Sequence, residues 1–583
     1  MENDVQIRSG SLRAHLSYEP VPLKFGTSGR RGEVIHLTQL EVYVNALAEL
    51  EHLQSLPAAE GGLERGDEFF FAFDLRPSST RFVPEQQGRG EIAQAIVQAI
   101  RDAGLLPVNL GALPTPALTF YALERGRGSM MITGSHLPFD RNGYKTNTAK
   151  GELLKTHEAP IQARVEPVRQ RLYAQPCAES RFDRQGMFKG GHQDLPAEDA
   201  AAREAYLHRY TDFFGRRNLN GQRLLVYQHS AVGRDLLVEV LQRLGAEVLP
   251  AGRSEAFVPI DTENIDAEQV ATIQGLADDA WRRHGPLEGI VSTDGDSDRP
   301  LILGGEPAGD GCRVRFFGGD LVGMIVAEYL GADAVVVPIS CSDAIDRGPL
   351  RDRVEPKTRI GSPFVIAGME RARAKGRQRI CGWEANGGFL LGSDLDREGR
   401  VLQALPTRDA LLPILSVLFS ASERGLSLPA LFERLPKRFS RAALLKSFPR
   451  AVSLKIVERC SPADPTIREA VFEGRQLRLR DEEGRPVAAG DDLTGALRSI
   501  RELLGSVFLP ELGFGEIVRL NYTDGVRIHF GDGEVAHVRP SGNADELRLY
   551  AVADSQARAD EIARHGVAEP AGLLRKLEHA VAE

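Results

Sequence analysis

Three carboxylates at two-residue spacing, Asp294, Asp296 and Asp298, lie between the apolar runs Gly289-Ile290-Val291 and Leu301-Ile302-Leu303. The runs read as strands, so the acidic string between them is a tight loop presenting its oxygens on one side. Crowded oxygen ligands suit a hard divalent cation, and so few of them suit Mg²⁺. An EF-hand also opens D-x-D-x-D, but it needs Gly at its sixth position and Glu at its twelfth. Those positions are Arg299 and Gly305, which excludes a calcium-sensor loop. The bland alternative is an Asp-rich surface turn, since Asp and Gly are common turn formers.

Four other stretches carry reactive groups. Lys24-Phe25-Gly26-Thr27-Ser28-Gly29-Arg30-Arg31-Gly32 combines backbone donors, hydroxyls and two guanidinium forks, a set that can face a phosphate. Met131-Ile132-Thr133-Gly134-Ser135-His136-Leu137-Pro138 sets a serine beside a histidine just past a strand-like run, and Asn142-Gly143-Tyr144-Lys145 follows. Ser135 is then a candidate nucleophile or covalent carrier, with ordinary turn chemistry as the alternative. It is not the G-x-S-x-G elbow of hydrolases, because no Gly stands two residues after Ser135. Gly382-Trp383-Glu384-Ala385-Asn386-Gly387-Gly388 places a carboxylate and an amide two residues apart, facing one side if the loop is extended. Such a pair suits vicinal sugar hydroxyls, and a plain turn fits equally well. Arg539-Pro540-Ser541-Gly542-Asn543 offers a guanidinium fork, a hydroxyl and backbone donors to a phosphate dianion.

The elements that must position these loops follow a repeated pattern. A strand over Phe69–Asp74, a helix over Glu91–Ala103 stopped by Gly104, and a strand over Leu105–Leu110 form one unit. Leu224–Tyr227, Val232–Leu244 and Ala246–Leu249 form a second; Ala334–Ile339, Ser362–Lys375 and Arg379–Cys381 a third. A further helix is expected over Thr38–Leu53. Alternating βα units predict α/β domains with largely parallel sheets. After Leu428 short strands dominate, with a Gly531-Asp532-Gly533 hairpin turn between Val526–Phe530 and Val535–Val538, a strand over Leu547–Val552 and a helix over Gln556–His565. Residues 453–500 give no assignable pattern.

At 583 residues the chain is long enough for about four domains. The boundaries expected are 1–190 with the serine loop, 191–308 with the acidic loop, 309–428 with the Glu384 loop, and a smaller α+β domain over 429–583 with the Arg539 loop. A net charge of −9 argues against broad nucleic-acid or membrane-surface binding. The five cysteines are scattered and make no C-x-x-C pair, so reduced thiols are expected rather than a disulfide framework or a cysteine zinc site. Met1-Glu2-Asn3-Asp4 opens no apolar signal segment, and the apolar window Ala410–Phe419 is too short to span a bilayer. The expectation is a cytoplasmic protein, monomeric or homodimeric.

Taken in order, the four loops resemble those of the α-D-phosphohexomutases, the family of phosphomannomutases and phosphoglucomutases, over about Lys24 to Tyr550. The resemblance implies three similar α/β domains with mixed, largely parallel sheets plus a smaller fourth domain around a central cleft. It implies that Ser135 is carried as phosphoserine, and that its phosphoryl oxygen with Asp294, Asp296 and Asp298 holds Mg²⁺. Arg31, His136, Lys145 and Arg299 would surround the transferring group, Lys145 as the favoured proton acceptor and His136 as a supporting one. Glu384 and Asn386 would hold sugar hydroxyls, while Arg539, Ser541, Gly542 and Asn543 hold the non-reacting phosphate. The implied reaction interconverts hexose 6-phosphate and hexose 1-phosphate through a hexose 1,6-bisphosphate. Mannose phosphate is favoured, and a phosphoglucomutase or dual-specificity enzyme is the close alternative. A non-catalytic sugar-phosphate-binding protein would predict decay of the serine or the acidic ligands, and all are intact.

The chain also departs from the family's pattern. The serine loop commonly reads Thr-Ala-Ser-His-Asn-Pro, and this chain has Gly134 and Leu137. The sugar loop commonly reads Gly-Glu-x-Ser-Gly-His, and here Asn386 replaces the serine and Gly388 the histidine; Asn543 stands where threonine is usual.

Overall fold

The computed structural model describes residues 10–215, 217–263, 265–474, 476–540 and 545–582. They divide into two compact units, Met1–Asp333 with Ser362–Phe432, and Ala334–Gly361 with Glu433–Glu583. Both units are discontinuous in sequence.

The first unit begins with strand β1 (Arg30–Glu33) and helix α1 (Gln39–Leu53). The Thr38 hydroxyl accepts the Glu41 amide at 3.2 Å, satisfying one of the unpaired donors of the first turn, so the expected helix starts one residue after Thr38. Strand β2 (Glu68–Phe73), helix α2 (Ile92–Asp102) and strand β3 (Leu106–Ala112) make the first expected βα unit. Gly104, at φ 77°, supplies the left-handed residue that ends α2. Helix α3 (Thr115–Glu124) and strands β4 (Ser129–Ile132) and β5 (Arg141–Thr148) complete this block. The sheet order is β1-β5-β4-β2-β3. Its β4-β2-β3 core is parallel, and β5 adds antiparallel to β4 with Lys145 opposite Met131. Phe69, Phe71, Met130 and Ile132 bury one face of the sheet against Leu40, Val44, Ile96 and Ile100 of the helices. Each such side chain contributes roughly 1.5–3 kcal/mol by leaving water.

The second block repeats the scheme with β6 (Arg223–His229), α4 (Arg234–Arg243), β7 (Glu247–Arg253), α5 (Ala267–His284), β8 (Gly289–Thr293), β9 (Pro300–Ala308) and β10 (Gly311–Phe317). The order is β7-β6-β8-β9-β10, parallel across β7-β6-β8 and antiparallel beyond. The acidic string is the hairpin loop joining β8 to β9, as the two apolar runs predict. The sheets are therefore mixed, because each chemistry-bearing loop turns the chain straight back into an antiparallel neighbour. The unit continues with α6 (Ser362–Ala374), then β11 (Ile380–Trp383), β12 (Phe389–Leu391) and β13 (Leu405–Asp409), all antiparallel, and the buried helix α7 (Leu411–Arg424).

The second unit is built on an eight-stranded antiparallel sheet. Its strands are β14 (Phe439–Lys446), β15 (Glu469–Glu473), β16 (Gln476–Arg480), β17 (Pro486–Val487), β18 (Ile517–Asn521), β19 (Val526–Phe530), β20 (Val535–Pro540) and β21 (Glu546–Ala553). The order is β14-β21-β20-β19-β18-β15-β16-β17. The β19–β20 hairpin and the helix Gln556–Val567 stand where the sequence places them. Residues 453–500 resolve into the end of a helix (Arg450–Arg459), the three added strands β15–β17, and a helix over Asp491–Gly505. Among the described residues no helix is long and apolar enough to cross a membrane.

Candidate active site

The first unit brings together residues from four loops. The serine loop follows β4, where Ser135 holds φ 54°, a left-handed backbone that a residue with a side chain adopts only when its surroundings enforce it. Those surroundings come from the end of β2. Asp74 Oδ2 accepts the Thr133 hydroxyl at 2.8 Å and the Gly134 amide at 3.3 Å, while Thr133 Oγ1 accepts the Ser135 amide at 2.6 Å. The Arg76 guanidinium donates to the carbonyls of Ser135 (2.8 Å), Leu137 (2.5 Å), Pro138 (2.6 Å) and Arg141 (2.9 Å). Gly134 makes room for it: a Cβ there would lie 2.6 Å from Arg76 Cζ.

The acidic loop meets the serine loop directly. Ser135 Oγ donates to Asp294 Oδ2 at 2.8 Å. A Cβ on Gly295 would sit 2.7 Å from the Ser135 carbonyl, so glycine lets the two backbones approach. Asp294, Asp296 and Asp298 are all fully buried or nearly so, with ligand oxygens within 4.8 Å of one another. Among the described residues they are the one cluster of three such groups. Lys145 Nζ bridges Asp296 Oδ2 at 2.6 Å and Asp298 Oδ2 at 2.5 Å. Thr115, at the start of α3, donates to Asp296 Oδ2 at 2.6 Å. Burial, then the charges of Asp296 and Asp298, lifts Asp294 well above the usual carboxylate range. Asp296 goes the other way, because Lys145 outweighs the burial that would raise it.

These observations fit a divalent cation. Asp296 Oδ1 and Asp298 Oδ1 are buried with no hydrogen-bond partner, and one carboxylate of the trio is pushed toward its neutral form. A group of oxygens left unpaired and mutually repelling is what a hard cation relieves.

Further cations line the site. Arg299 Nε lies 3.7 Å from Asp294 Oδ2 and 3.6 Å from Asp298 Oδ1. Arg31 is anchored through the carbonyls of Arg30 (2.7 Å) and Tyr144 (3.1 Å), and burial lowers it to about 10 despite the nearby Asp296. His136 is half-buried with no partner for Nδ1; burial, then Arg299 and Arg408, lowers it to about 2, so the ring is neutral at neutral pH.

The Glu384 loop is a turn rather than an extended segment: the Gly387 amide bonds the Glu384 carbonyl at 2.9 Å. Asn386 Oδ1 accepts the Gly388 amide at 3.0 Å, and the Thr262 hydroxyl holds the Asn386 carbonyl at 2.7 Å. Glu384 Oε2 accepts Arg408 Nη1 at 3.0 Å, and the same guanidinium reaches Asp298 Oδ2 through Nε (3.1 Å) and Nη2 (2.9 Å). Arg539 belongs to the second unit, where its Nε donates to Asp524 Oδ1 at 3.1 Å. Ser541, Gly542 and Asn543 lie outside the described residues.

Asp74, Arg76, Thr115 and Arg408 escape sequence reasoning, since the groups they bond lie far away in the chain. The available signal lay in the departures: glycine at 134 and at 388, where the family has side chains, implies that something else fills the space.

A serine on an enforced backbone, a buried carboxylate trio and converging cations define a site for moving an anionic group to or from a hydroxyl. The phosphoglucomutase/phosphomannomutase models for the α/β/α domain I, the α/β/α domain III and the C-terminal domain match residues 22–171, 318–439 and 478–567. The chain is 35% identical over 545 residues to a phosphomannomutase of Sinorhizobium fredii, covering 94% of this chain and 98% of that protein. It is 34% identical to a phosphomannomutase of Salmonella muenchen, over 93% and 94% of the two chains. A phosphoglucomutase/phosphomannomutase family structure from Burkholderia thailandensis shares the fold, with a TM-score of 0.61 and 18% identity over 95% of this chain and 97% of that one. The chain belongs to the α-D-phosphohexomutase family, and is an intramolecular phosphotransferase.

Proposed function

We propose that the chain interconverts hexose 6-phosphate and hexose 1-phosphate, with mannose phosphate the favoured substrate, through a phosphoryl group carried on Ser135. The observation that carries this reading is the 2.8 Å contact of Ser135 Oγ with Asp294 Oδ2, made from a left-handed backbone locked by Asp74 and Arg76.

Phosphoryl transfer asks a protein mainly for positioning and charge neutralisation. A substrate hydroxyl oxygen attacks the phosphorus of phosphoserine 135; the new O–P bond forms as the Ser135 Oγ–P bond breaks, leaving a hexose 1,6-bisphosphate. Lys145 is the favoured acceptor of the hydroxyl proton, and its contacts with Asp296 and Asp298 fix the amine beside the serine loop. Neutral His136 is the second acceptor at the same loop. Arg31 and Arg299 neutralise the equatorial oxygens in flight. Mg²⁺ held by Asp294, Asp296, Asp298 and a phosphoryl oxygen on Ser135 would supply Lewis-acid polarisation when bound. The bisphosphate turns over, its other phosphate returns to Ser135, and the Ser135 oxygen is phosphorylated again as the second hydroxyl is released. Glu384 and Asn386 hold the sugar hydroxyls in either orientation, while Arg539 with Ser541, Gly542 and Asn543 holds the resting phosphate. The four expected domains and a cytoplasmic location complete the reading.

The test is a coupled assay with Mg²⁺ and trace hexose 1,6-bisphosphate, comparing mannose 1-phosphate with glucose 1-phosphate. Faster turnover of mannose 1-phosphate is expected. Faster turnover of glucose 1-phosphate would make the enzyme a phosphoglucomutase, and equal rates would make it dual-specific. Turnover of neither would point first to amino-sugar phosphates and then to a sugar-phosphate-binding protein.

A further inference from the structure

Arg408 is the most heavily shared cation of the site. Its side chain is 4% exposed, and three of its donors are divided between two carboxylates of different loops. Nε and Nη2 hold Asp298 Oδ2 in the acidic loop, and Nη1 holds Glu384 Oε2 in the sugar loop. Only a guanidinium can do this, because its donors are spread in a rigid planar fork, whereas an ammonium is a point charge. Gly388 is the space the side chain needs: a Cβ there would lie 2.5 Å from Arg408 Cδ and 2.7 Å from Cγ.

We propose that Arg408 is a positioning residue that couples cation occupancy of the Asp294–Asp296–Asp298 cluster to the setting of the sugar clamp. The inference rests on the reading of those aspartates as a Mg²⁺ site and of Glu384 as a sugar contact. Asp298 Oδ2 already receives Lys145 as well as two Arg408 donors. A divalent cation arriving on Asp298 competes with those donors and repels the guanidinium at short range. Arg408 then gives up Asp298, keeps Glu384, and turns its freed donors toward the sugar loop. Because coupling between two binding events is reciprocal, a sugar phosphate that draws Arg408 toward Glu384 makes the acidic cluster easier to load.

The sign of one measurement separates this from a merely structural arginine. Full-length protein without substrate is titrated with MgCl₂ by isothermal calorimetry. Arg408→Met removes the competing charge, so Mg²⁺ binding tightens by about fivefold or more, the lower edge of ordinary coupling between sites. Arg408→Lys keeps the charge and loses the fork: Mg²⁺ affinity stays near wild type, while KM for the hexose phosphate rises more than kcat falls. Gly388→Ala pushes Arg408 aside and raises KM in the wild-type background, yet adds nothing once Arg408 is Met, a non-additivity expected of residues in contact. Weaker or unchanged Mg²⁺ binding in a cooperatively melting Arg408→Met protein overturns the proposal, as does a Gly388→Ala effect that persists without Arg408. If Arg408→Met does not fold, the Arg408→Lys and Gly388→Ala proteins decide it by the KM and kcat split. If the wild-type chain shows no mutase turnover but binds Mg²⁺, and Arg408→Met still tightens that binding, the functional reading falls and the coupling of Arg408 to the acidic cluster stands.

Discussion

Two buried charge clusters, one in each unit, use similar residues to opposite ends. In the second unit Asp343 Oδ1 accepts Lys357 Nζ at 3.0 Å and Arg527 Nη2 at 2.7 Å, and Arg438 Nη2 stands 3.9 Å from Oδ2. Burial would raise Asp343, but Arg527 and Lys357 hold it well below the usual carboxylate range. In the first unit Asp294, equally buried, is lifted by burial and its two acidic neighbours, and Asp296 and Asp298 each keep one oxygen without a hydrogen-bond partner. The difference teaches how to tell a brace from a receptor. A carboxylate held down by cations of the fold braces the fold, whereas crowded carboxylates that keep buried oxygens without a hydrogen-bond partner are a receptor for a ligand.

The comparison can be broken most sharply at Ser135. Ser135→Ala should lower turnover by about 10⁴-fold or more while the protein melts as wild type, since a nucleophile contributes to the transition state and little to stability. Wild-type-like activity in that variant would falsify the phosphoserine reading. Asp343→Asn should cost about 3–5 kcal/mol of stability, the usual loss when one partner of a buried ion pair is removed, read by denaturant unfolding. An unchanged midpoint would mean that Asp343 is not a brace. Asp294→Asn is the mirror case, because an amide mimics the protonated acid that its surroundings already favour. Stability should stay within about 1 kcal/mol of wild type, and Mg²⁺ affinity by calorimetry should fall about 100-fold or more. Arg539→Ala should weaken substrate phosphate binding by about 1.5–3 kcal/mol, seen as a raised KM; an unchanged KM would remove that residue from the phosphate clamp. The smallest effect concerns pH. Burial, then His157, lowers His52 to about 4, and its Nε2 lies 3.0 Å from His157 Nδ1. The unfolded chain, near the ordinary histidine value of about 6.5, therefore binds the proton more readily. The stability His52 contributes is present above that value and is lost as pH falls toward 4. His52→Asn should flatten the melting temperature over that window, and an unaltered slope would exclude His52 as its source.

The chemistry-bearing loops were legible because their residue types crowd into a few positions between strand-like runs, as with Asp294, Asp296 and Asp298 between β8 and β9. The βα units were legible through apolar periodicity ended by a glycine such as Gly104. Residues 453–500 were not, because β15, β16 and β17 alternate short apolar positions with charge, as in Gln476-Leu477-Arg478-Leu479-Arg480, and only pairing with β18 makes a sheet of them. Arg76 and Arg408 were hidden for another reason. Their partners lie 59 to 65 and 24 to 110 residues away, respectively, beyond any local pattern. For the Glu384 loop the spacing leaves an extended segment and a turn equally open, and the Gly387–Glu384 hydrogen bond decides for the turn.

The discontinuity of the two units has a consequence for biosynthesis. Residues 334–361 leave the ribosome long before Glu433, yet they belong with the C-terminal sheet and must wait for it. Arg527, buried in β19, finds its acceptors in that early segment, at the Ile339 carbonyl (2.8 Å) and Asp343. A fragment begun at residue 433 would thus lack both of these acceptors for the buried Arg527 guanidinium. The C-terminal sheet therefore receives its last partners from a segment made well before it, and is complete only when both pieces are present.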